Sequence, residues 1–492
     1  MFLKKIGLLL AIVLFSVPAF GYDLARSVVE FELPNGMRWF YVKRAQAPVF
    51  SGVVMVKAGG ADEESGKTGL AHVFEHMAFK GSKRIGTRDW KNEKAILETI
   101  EEVGEKLTAE SRRKDGDASL VESISKELAA LEREADRYRS KNEVWEVLVR
   151  NGAADLNAYT SKDLTAYHAS MPSNRLALWA SVMAEMVFEP AFREFYTERS
   201  VIAEERRSGV DNNPDGLMSE KILSSSWESG PYRWSTIGFE DDVMGLTVKD
   251  ARAFHRKHYV PNNMVGVLVG DLDPAAARAI LGRTFGRYGR GRLPPAPAAD
   301  AKSRGGSSEK FSFDAEPSLA VAWHKPTLPD PAEYSFDLLQ SLLCDGRSSR
   351  LQKRLVYEKK LAEEIYCSTS YPGARLQNLF LVWVDPMKSA DTDAIVREIN
   401  EEIASLREMP VGEKELSRVK KQVASALVFS LDRNMQLALQ IAQFETVFGD
   451  WRLLAEYPKR IAAVTAEELM QTAGKYLTDA NRVLVERTKG KR

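Results

Sequence analysis

The sequence predicts an α+β protein made of two tandem homologous halves, and three observations predict it. Val28 to Leu33, Pro34-Asn35-Gly36 and Met37 to Val42 read as strand, turn and strand, with Phe50 to Lys57 as a third strand ahead of a helix. Thr247 leads to the run Asn263-Met264-Val265-Gly266-Val267, and Thr465 leads to Asn481-Arg482-Val483-Leu484-Val485, with the threonine and asparagine sixteen residues apart in both cases. Between these two helix-then-strand units, the stretch from Arg287 to Ser308 is rich in Pro, Gly and Ser and reads as a linker. At 492 residues the chain should hold more than one domain. The division that follows is 1–21 leader, 22–288 first half, 289–308 linker and 309–492 second half.

From the amino terminus, Lys4 and Lys5, an apolar run from Ile6 to Phe15 and the small-residue site Ala19-Phe20-Gly21 make a secretory signal peptide cleaved after Gly21. No cysteine follows the cleavage site, which excludes lipid attachment there, and no later stretch is long and apolar enough for a membrane helix. The expected location is the bacterial periplasm, or outside the cell.

After the third strand comes His72-Val73-Phe74-Glu75-His76, bracketed by Thr68-Gly69 as a helix start and Lys80-Gly81-Ser82 as a stop. Residues three and four apart lie on one helix face, so His72 and His76 can grip one ion with Glu75 beside it. The chain has only six histidines and this run uses two of them. H-x-x-E-H is the inverted zinc-peptidase order. A catalytic zinc site takes three protein ligands, so a third must come from elsewhere. The segment Thr197 to Arg207 reads as a carboxylate-rich helix on which Glu198 and Glu205, seven apart, share a face while Glu204 points aside. Glu205 is the expected third ligand, Glu198 the expected partner that orients a histidine, and Glu204 an ordinary solvated residue.

Further elements are read from pattern. Leu97, Ile100, Val103 and Leu107, then Leu120, Ile124, Leu128 and Leu131, recur at helical spacing around a Lys114-Asp115-Gly116-Asp117 break and predict a charged helical hairpin. Leu176 to Phe188 is a mostly apolar core helix. Leu319 to Trp323 and Asn378 to Val384 read as strands of the second half. His324 follows a strand and is expected to cap or pair locally, and His255 and His258 are positions on a helix face.

These segments resemble the pitrilysin-type, or inverzincin, zinc metallopeptidase family, which includes insulin-degrading enzyme and the mitochondrial processing peptidase subunits. The resemblance rests on Gly66 to His72 as lead-in, Met77 to Ser82 as run-out, Asp155-Leu156-Asn157-Ala158-Tyr159-Thr160-Ser161 as a substrate-binding edge strand and turn, and the glutamates Glu198 and Glu205. It implies tandem α/β-sandwich domains forming half of a clamshell, one Zn²⁺ held by His72, His76 and Glu205, Glu75 as general base, and Asn157 with the Ala158 backbone holding a peptide as an added strand. The interval from His76 to Glu205 is longer than the family usually shows, so the hairpin, at about residues 92–146, is expected to be an insertion that bulges from a surface loop as solvated decoration.

The second half departs from the family pattern. An arginine and a tyrosine seven apart usually reach the substrate carbonyl from there, but Tyr357 and Glu364 stand at those positions. Arg350 and Tyr357 have the right spacing but come too early, a coincidence. The chain is also about half the length of single-chain members. It is therefore expected to be the metal-bearing subunit of a heterodimer whose partner supplies the missing pair. The competing reading is a non-catalytic assembly or peptide-binding subunit of the same fold.

Lys plus Arg and Asp plus Glu are both 69, so no global field favours nucleic acid. Export would permit a disulfide between Cys344 and Cys367, but the sequence does not supply their separation and a bridge is not expected.

Overall fold

The computed structural model describes residues 24–297, 302–388 and 390–490; the expected leader, 1–21, lies outside them. Among the described residues eleven strands form two sheets. In chain order they are β1 Val28–Glu32, β2 Arg38–Lys43, β3 Val49–Val56, β4 Ala154–Thr160, β5 Thr165–Pro172, β6 Met264–Gly270, β7 Ser307–Phe313, β8 Ser318–Lys325, β9 Ala362–Tyr371, β10 Asn378–Pro386 and β11 Arg482–Lys489. The first sheet has the order β1-β2-β6-β3-β5-β4 and the second β7-β11-β8-β10-β9.

The two halves are one plan used twice. Without β1, each sheet is a five-strand ladder that begins with one parallel pair, β2 with β6 or β7 with β11, and continues antiparallel to its far edge. The repeated Thr and Asn have the same jobs in both. Thr247 and Thr465 each close a capping box, with Asp250 and Glu468, on the helices Val248–His258 and Ala466–Tyr476. Asn263 and Asn481 each donate two bonds, one to the end of that helix and one to the end of the central strand: to His258 and Lys57 carbonyls in the first half, to Tyr476 and His324 carbonyls in the second.

Central strands are buried on both faces, which is why β3, β6 and β8 read as near-continuous apolar runs. One face of the first sheet packs Trp39, Tyr41, Phe50 and Val54 against helices including Leu70–Phe79, Leu176–Phe188 and Val248–His258. Its other face, Phe40, Val42, Val53, Met55, Val267 and Val269, is covered by Leu437, Ala438, Ile441 and Ala442 of helix Asn434–Phe448, which comes from the second half. The second sheet receives the reciprocal cover. Ala320, Ala322, Leu381 and Val485 pack on Met218, Ile222 and Leu223 of helix Pro214–Ser226 from the first half. The stretch expected to be a linker, 289–308, runs into β7 at Ser307, and the packing crosses it in both directions.

The hairpin forms as helices Trp90–Ser111 and Ala118–Ala135 but is not the solvated bulge expected. Ile100, Val103, Leu128 and Ala135 join the main core of the first half, and the buried Glu93 of the hairpin pairs with the buried Arg193 at 2.6 Å. Leu120, by contrast, is exposed. Cys344 and Cys367 are bridged, contrary to expectation, because the helix Ala332–Leu343 ends beside β9 and brings the two Cα atoms to 5.8 Å. His255 and His258 turn inward: His255 stacks on Phe74 and bonds the Val187 carbonyl at 2.9 Å, and burial pulls the pKa down to about 4 for His255 and about 3 for His258. His324 is buried edge-on to Trp227.

Because Leu437 is fully buried on the face that the second half supplies, Leu437→Ala should cost about 2–5 kcal/mol of stability. Urea unfolding followed by circular dichroism will read it, and a loss under 1 kcal/mol would mean that this face contributes little to holding the halves together.

Candidate metal centre

Helix Leu70–Phe79 opens at Gly69, whose φ of +87° favours glycine and whose added Cβ would meet the Ile237 carbonyl oxygen at 2.5 Å. No side chain at the cap position satisfies the first N–H groups. Thr68 is otherwise engaged, donating to Asp242 at 2.7 Å and accepting from the Phe239 N–H at 2.9 Å. The orphan donors are taken by Glu63, which accepts from Gly69 N–H at 3.0 Å, Ala71 N–H at 2.8 Å and the Trp234 indole at 3.2 Å. Burial raises the Glu63 pKa to about 7 against the pull of Lys162 and these donors. At the other end Lys80 caps the helix and Gly81 turns the chain at φ +84°.

His72, Glu75 and His76 emerge on the face of this helix that looks toward β4 and toward helix Phe195–Arg206, which carries Glu198 and Glu205. Glu205 Oε2 stands 3.9 Å from His72 Nε2 and 3.8 Å from His76 Nε2. Among the described residues these three form the one group whose donor atoms converge within 4.8 Å. Tetrahedral zinc with bonds of about 2.0–2.2 Å needs donors about 3.3–3.6 Å apart, so the three fit such an ion with small side-chain adjustments.

Protonation favours cation binding at His72, while at His76 a cation would have to displace a proton. Burial, aided by the neighbouring His76, lowers the His72 pKa to about 4, so its lone pair is free at neutral pH. Burial works the same way on His76, but the Glu198 hydrogen bond and the charges of Glu205, Glu198 and Glu75 outweigh it and raise that pKa. Glu198 Oε2 holds His76 Nδ1 at 3.0 Å and its other oxygen accepts from Lys80 Nζ at 2.6 Å. Burial opposes its charge, yet these two bonds and the lysine charge hold the Glu198 carboxyl down to about 2. Glu204 points aside to Arg207 and stays exposed.

Glu75 is apart from the triad. Burial raises its pKa, and Oε2 accepts a 2.6 Å bond from the Thr160 hydroxyl at the end of β4. β4 is an edge strand of the first sheet, opposite β1, with Asp155 at φ +50° beside a register shift between Ala154 and Asn157. The exposed Asn157 folds its Oδ1 back onto the Ala158 N–H at 2.9 Å. In the second half Arg350 is bound to Glu415 at 2.8 Å, Tyr357 is half exposed beside Arg347, and Glu364 is exposed on β9.

Sequence reasoning gave no role to Glu63, Lys80 or Thr160. Lys80 and Thr160 sit inside the motifs used, as a helix stop and a strand end, and nothing local marks their partners. Glu63, nine residues before His72, carried no signal.

Two family profiles match the chain. One, described as Insulinase (Peptidase family M16), covers residues 40–116 and 132–239, and the other, Peptidase M16 inactive domain, covers 245–423. The first passes over 117–131 only, a narrower gap than the insertion expected at 92–146. The chain is similar to Zinc protease PqqE of Helicobacter pylori, 24% identical over 439 residues that cover 88% of this chain and 86% of the relative. It is 23% identical over 463 residues to a probable mitochondrial-processing peptidase subunit beta of Arabidopsis thaliana, covering 91% and 76%. A solved protease from Helicobacter pylori superposes with a TM-score of 0.77 at 23% identity, over 94% of this chain and 99% of that one. The periplasmic protease PqqL from Escherichia coli gives 0.69 at 18% identity, over 94% of this chain but 47% of its own length.

Glu63→Ala should destabilise the protein by about 1–3 kcal/mol, because the Gly69 and Ala71 N–H groups lose their acceptor. Thermal and urea unfolding check it; a neutral result would show that water replaces the carboxylate.

Proposed function

This chain belongs to the M16 peptidase family, and on that premise we propose that it is a zinc-dependent endopeptidase acting on peptides or unfolded segments in the periplasm. The observation that carries the reading is the convergence of His72, His76 and Glu205 with a carboxylate, Glu75, held beside them and turned to Thr160. A scaffold needs no such base next to a cation site.

When bound by those three residues, zinc would polarise a scissile carbonyl and acidify water at the site. The chain's own groups do the rest. Glu75, raised by burial, takes a proton from the attacking water and returns it to the leaving amine. Glu198 fixes the tautomer and ring of His76, and Lys80 keeps Glu198 charged. A peptide would dock as a seventh strand on the edge of β4, after Asn157 releases the Ala158 N–H for the substrate backbone. Affinity from main-chain bonds gives weak sequence preference. The leader supports export, and among the described residues no helix is long and apolar enough to cross a membrane.

One zinc per chain is expected by elemental analysis, with activity abolished by a chelator. Glu75→Gln should keep zinc and lose turnover, Glu205→Gln should weaken zinc binding, and Glu204→Gln should change neither. Zinc-free protein that still cleaves peptides would sink the reading, and reversed outcomes at Glu75 and Glu205 would exchange their roles.

Tyr357 and Glu364 support a heterodimer, since neither is a fixed cationic donor for an oxyanion. Losing one such donor typically costs about 10²- to 10³-fold in rate. The isolated chain should therefore bind zinc and cleave poorly, and a second M16 chain carrying an arginine–tyrosine pair should restore turnover. Full activity from the purified chain alone overturns the heterodimer. Zinc binding without turnover under any pairing would favour the assembly or peptide-binding role instead.

A further inference from the structure

We infer that Thr160 is a positioning residue that fixes the candidate base Glu75 off the metal and in register with the substrate strand. This inference rests on the peptidase reading above and names a residue that reading does not require.

Glu75 lies three residues after His72 and one before His76, so its carboxylate can reach the same cation that they hold. A carboxylate that ligates the cation cannot serve as base. Something must therefore choose between the two positions, and Thr160 is the residue that bonds Glu75, chiefly through its hydroxyl and more weakly through its backbone N–H. The hydroxyl has one proton. Glu75 Oε2 is 2.6 Å away and Thr165 Oγ1 is 3.5 Å away, while Thr165 itself donates to the Ala58 carbonyl at 2.9 Å, so the Thr160 proton goes to Glu75.

The hydroxyl is on a rigid mount. Threonine is stiff at χ1, and Thr160 closes β4 immediately before a tight turn in which the Ser161 N–H bonds the Leu164 carbonyl at 2.9 Å. The same turn is stitched to the segment ahead of the metal helix: Gly60 and Ala61 N–H groups donate to the Ser161 and Lys162 carbonyls at 3.0 and 2.8 Å. By strand alternation Thr160 shares a face with Ala158, which packs in the core cluster that holds the metal helix, while Asn157 and Tyr159 point the other way. One short strand therefore carries both the backbone that would receive the peptide and the hydroxyl that sets the base.

The test compares Thr160→Val, which keeps the shape and deletes the donor, with Thr160→Ser, which keeps the donor. The first readout is the visible absorption spectrum of the full chain reconstituted with Co²⁺ and needs no turnover. Thr160→Val should alter the spectrum as Glu75 joins the metal ligands, Thr160→Ser should match wild type, and adding Glu75→Gln to Thr160→Val should restore the wild-type spectrum. The second readout is cleavage of an internally quenched unstructured peptide, with the partner chain present if turnover needs it. There kcat should fall about 10²-fold in Thr160→Val with KM within twofold, and Thr160→Ser should recover most of it. A Thr160→Val protein with wild-type spectrum and kcat overturns the inference while leaving the peptidase reading intact. A spectrum that the Glu75→Gln addition fails to restore also overturns it. A wild-type chain that takes up neither Co²⁺ nor Zn²⁺ overturns both.

Discussion

The candidate site depends on the placement of one ten-residue helix. His72, Glu75 and His76 share a face only while Leu70–Phe79 stays helical and aimed at β4, and its first turn has no local cap. A buried carboxylate, Glu63, takes that role. Its charge is answered by Lys162, itself buried over the Trp234 ring and with its pKa lowered to about 8 by burial against the pull of Glu63. Around this pair the second half reaches in: Arg375 bonds Asp62 at 2.6 Å, and Asp163 accepts from the Ala374 and Arg375 N–H groups at 2.6 and 3.1 Å. Removing one member of so buried a set leaves another charge without its partner. The metal helix, the β4–β5 turn and a loop of the second half are thus one electrostatic unit.

Much of this was legible in the sequence, for identifiable reasons. The strands ahead of the metal helix, the helix Leu176–Phe188 and the two Thr-to-Asn units are set by local period, turn residues and caps, which a single sequence displays. The seven-residue spacing of Glu198 and Glu205 is likewise a helical property, and it separated both from Glu204. What escaped reading is non-local. Glu63 caps backbone groups across a loop, and Thr160 meets Glu75 across 85 positions. The Cys344–Cys367 bridge needs β9 to lie beside the end of a helix 23 positions earlier. The hairpin shows its apolar stripe in the sequence, but the surface that the stripe meets is not local to it, and Ile100 and Leu128 complete a core rather than decorate the surface.

The hairpin also bears on the ligand helix. Arg199, one residue past Glu198, sends its guanidinium away from the site to the Thr108 hydroxyl at 2.9 Å and the Leu246 carbonyl at 2.8 Å. Arg193 ties the hairpin's Glu93 to carbonyls of Lys80, Ser82 and Ile85 at the end of the metal helix. The two helices that bring the ligands together are therefore braced from behind by the same element.

The crossing of helices between halves sets an order of completion for the growing chain. The first sheet is laid down by residue 270, yet one of its faces has no cover until residues 434–448 exist. Until then Val53, Met55 and Val267 present an apolar surface to whatever is nearby, the condition in which partly made proteins associate or attract chaperones. The reciprocal helix, 214–226, is made before its own sheet and waits for it. Each half leaves a sheet face bare without the other, so a truncation anywhere before residue 448 should be read as lacking part of the cover of the first sheet, whatever residues of the metal site it retains.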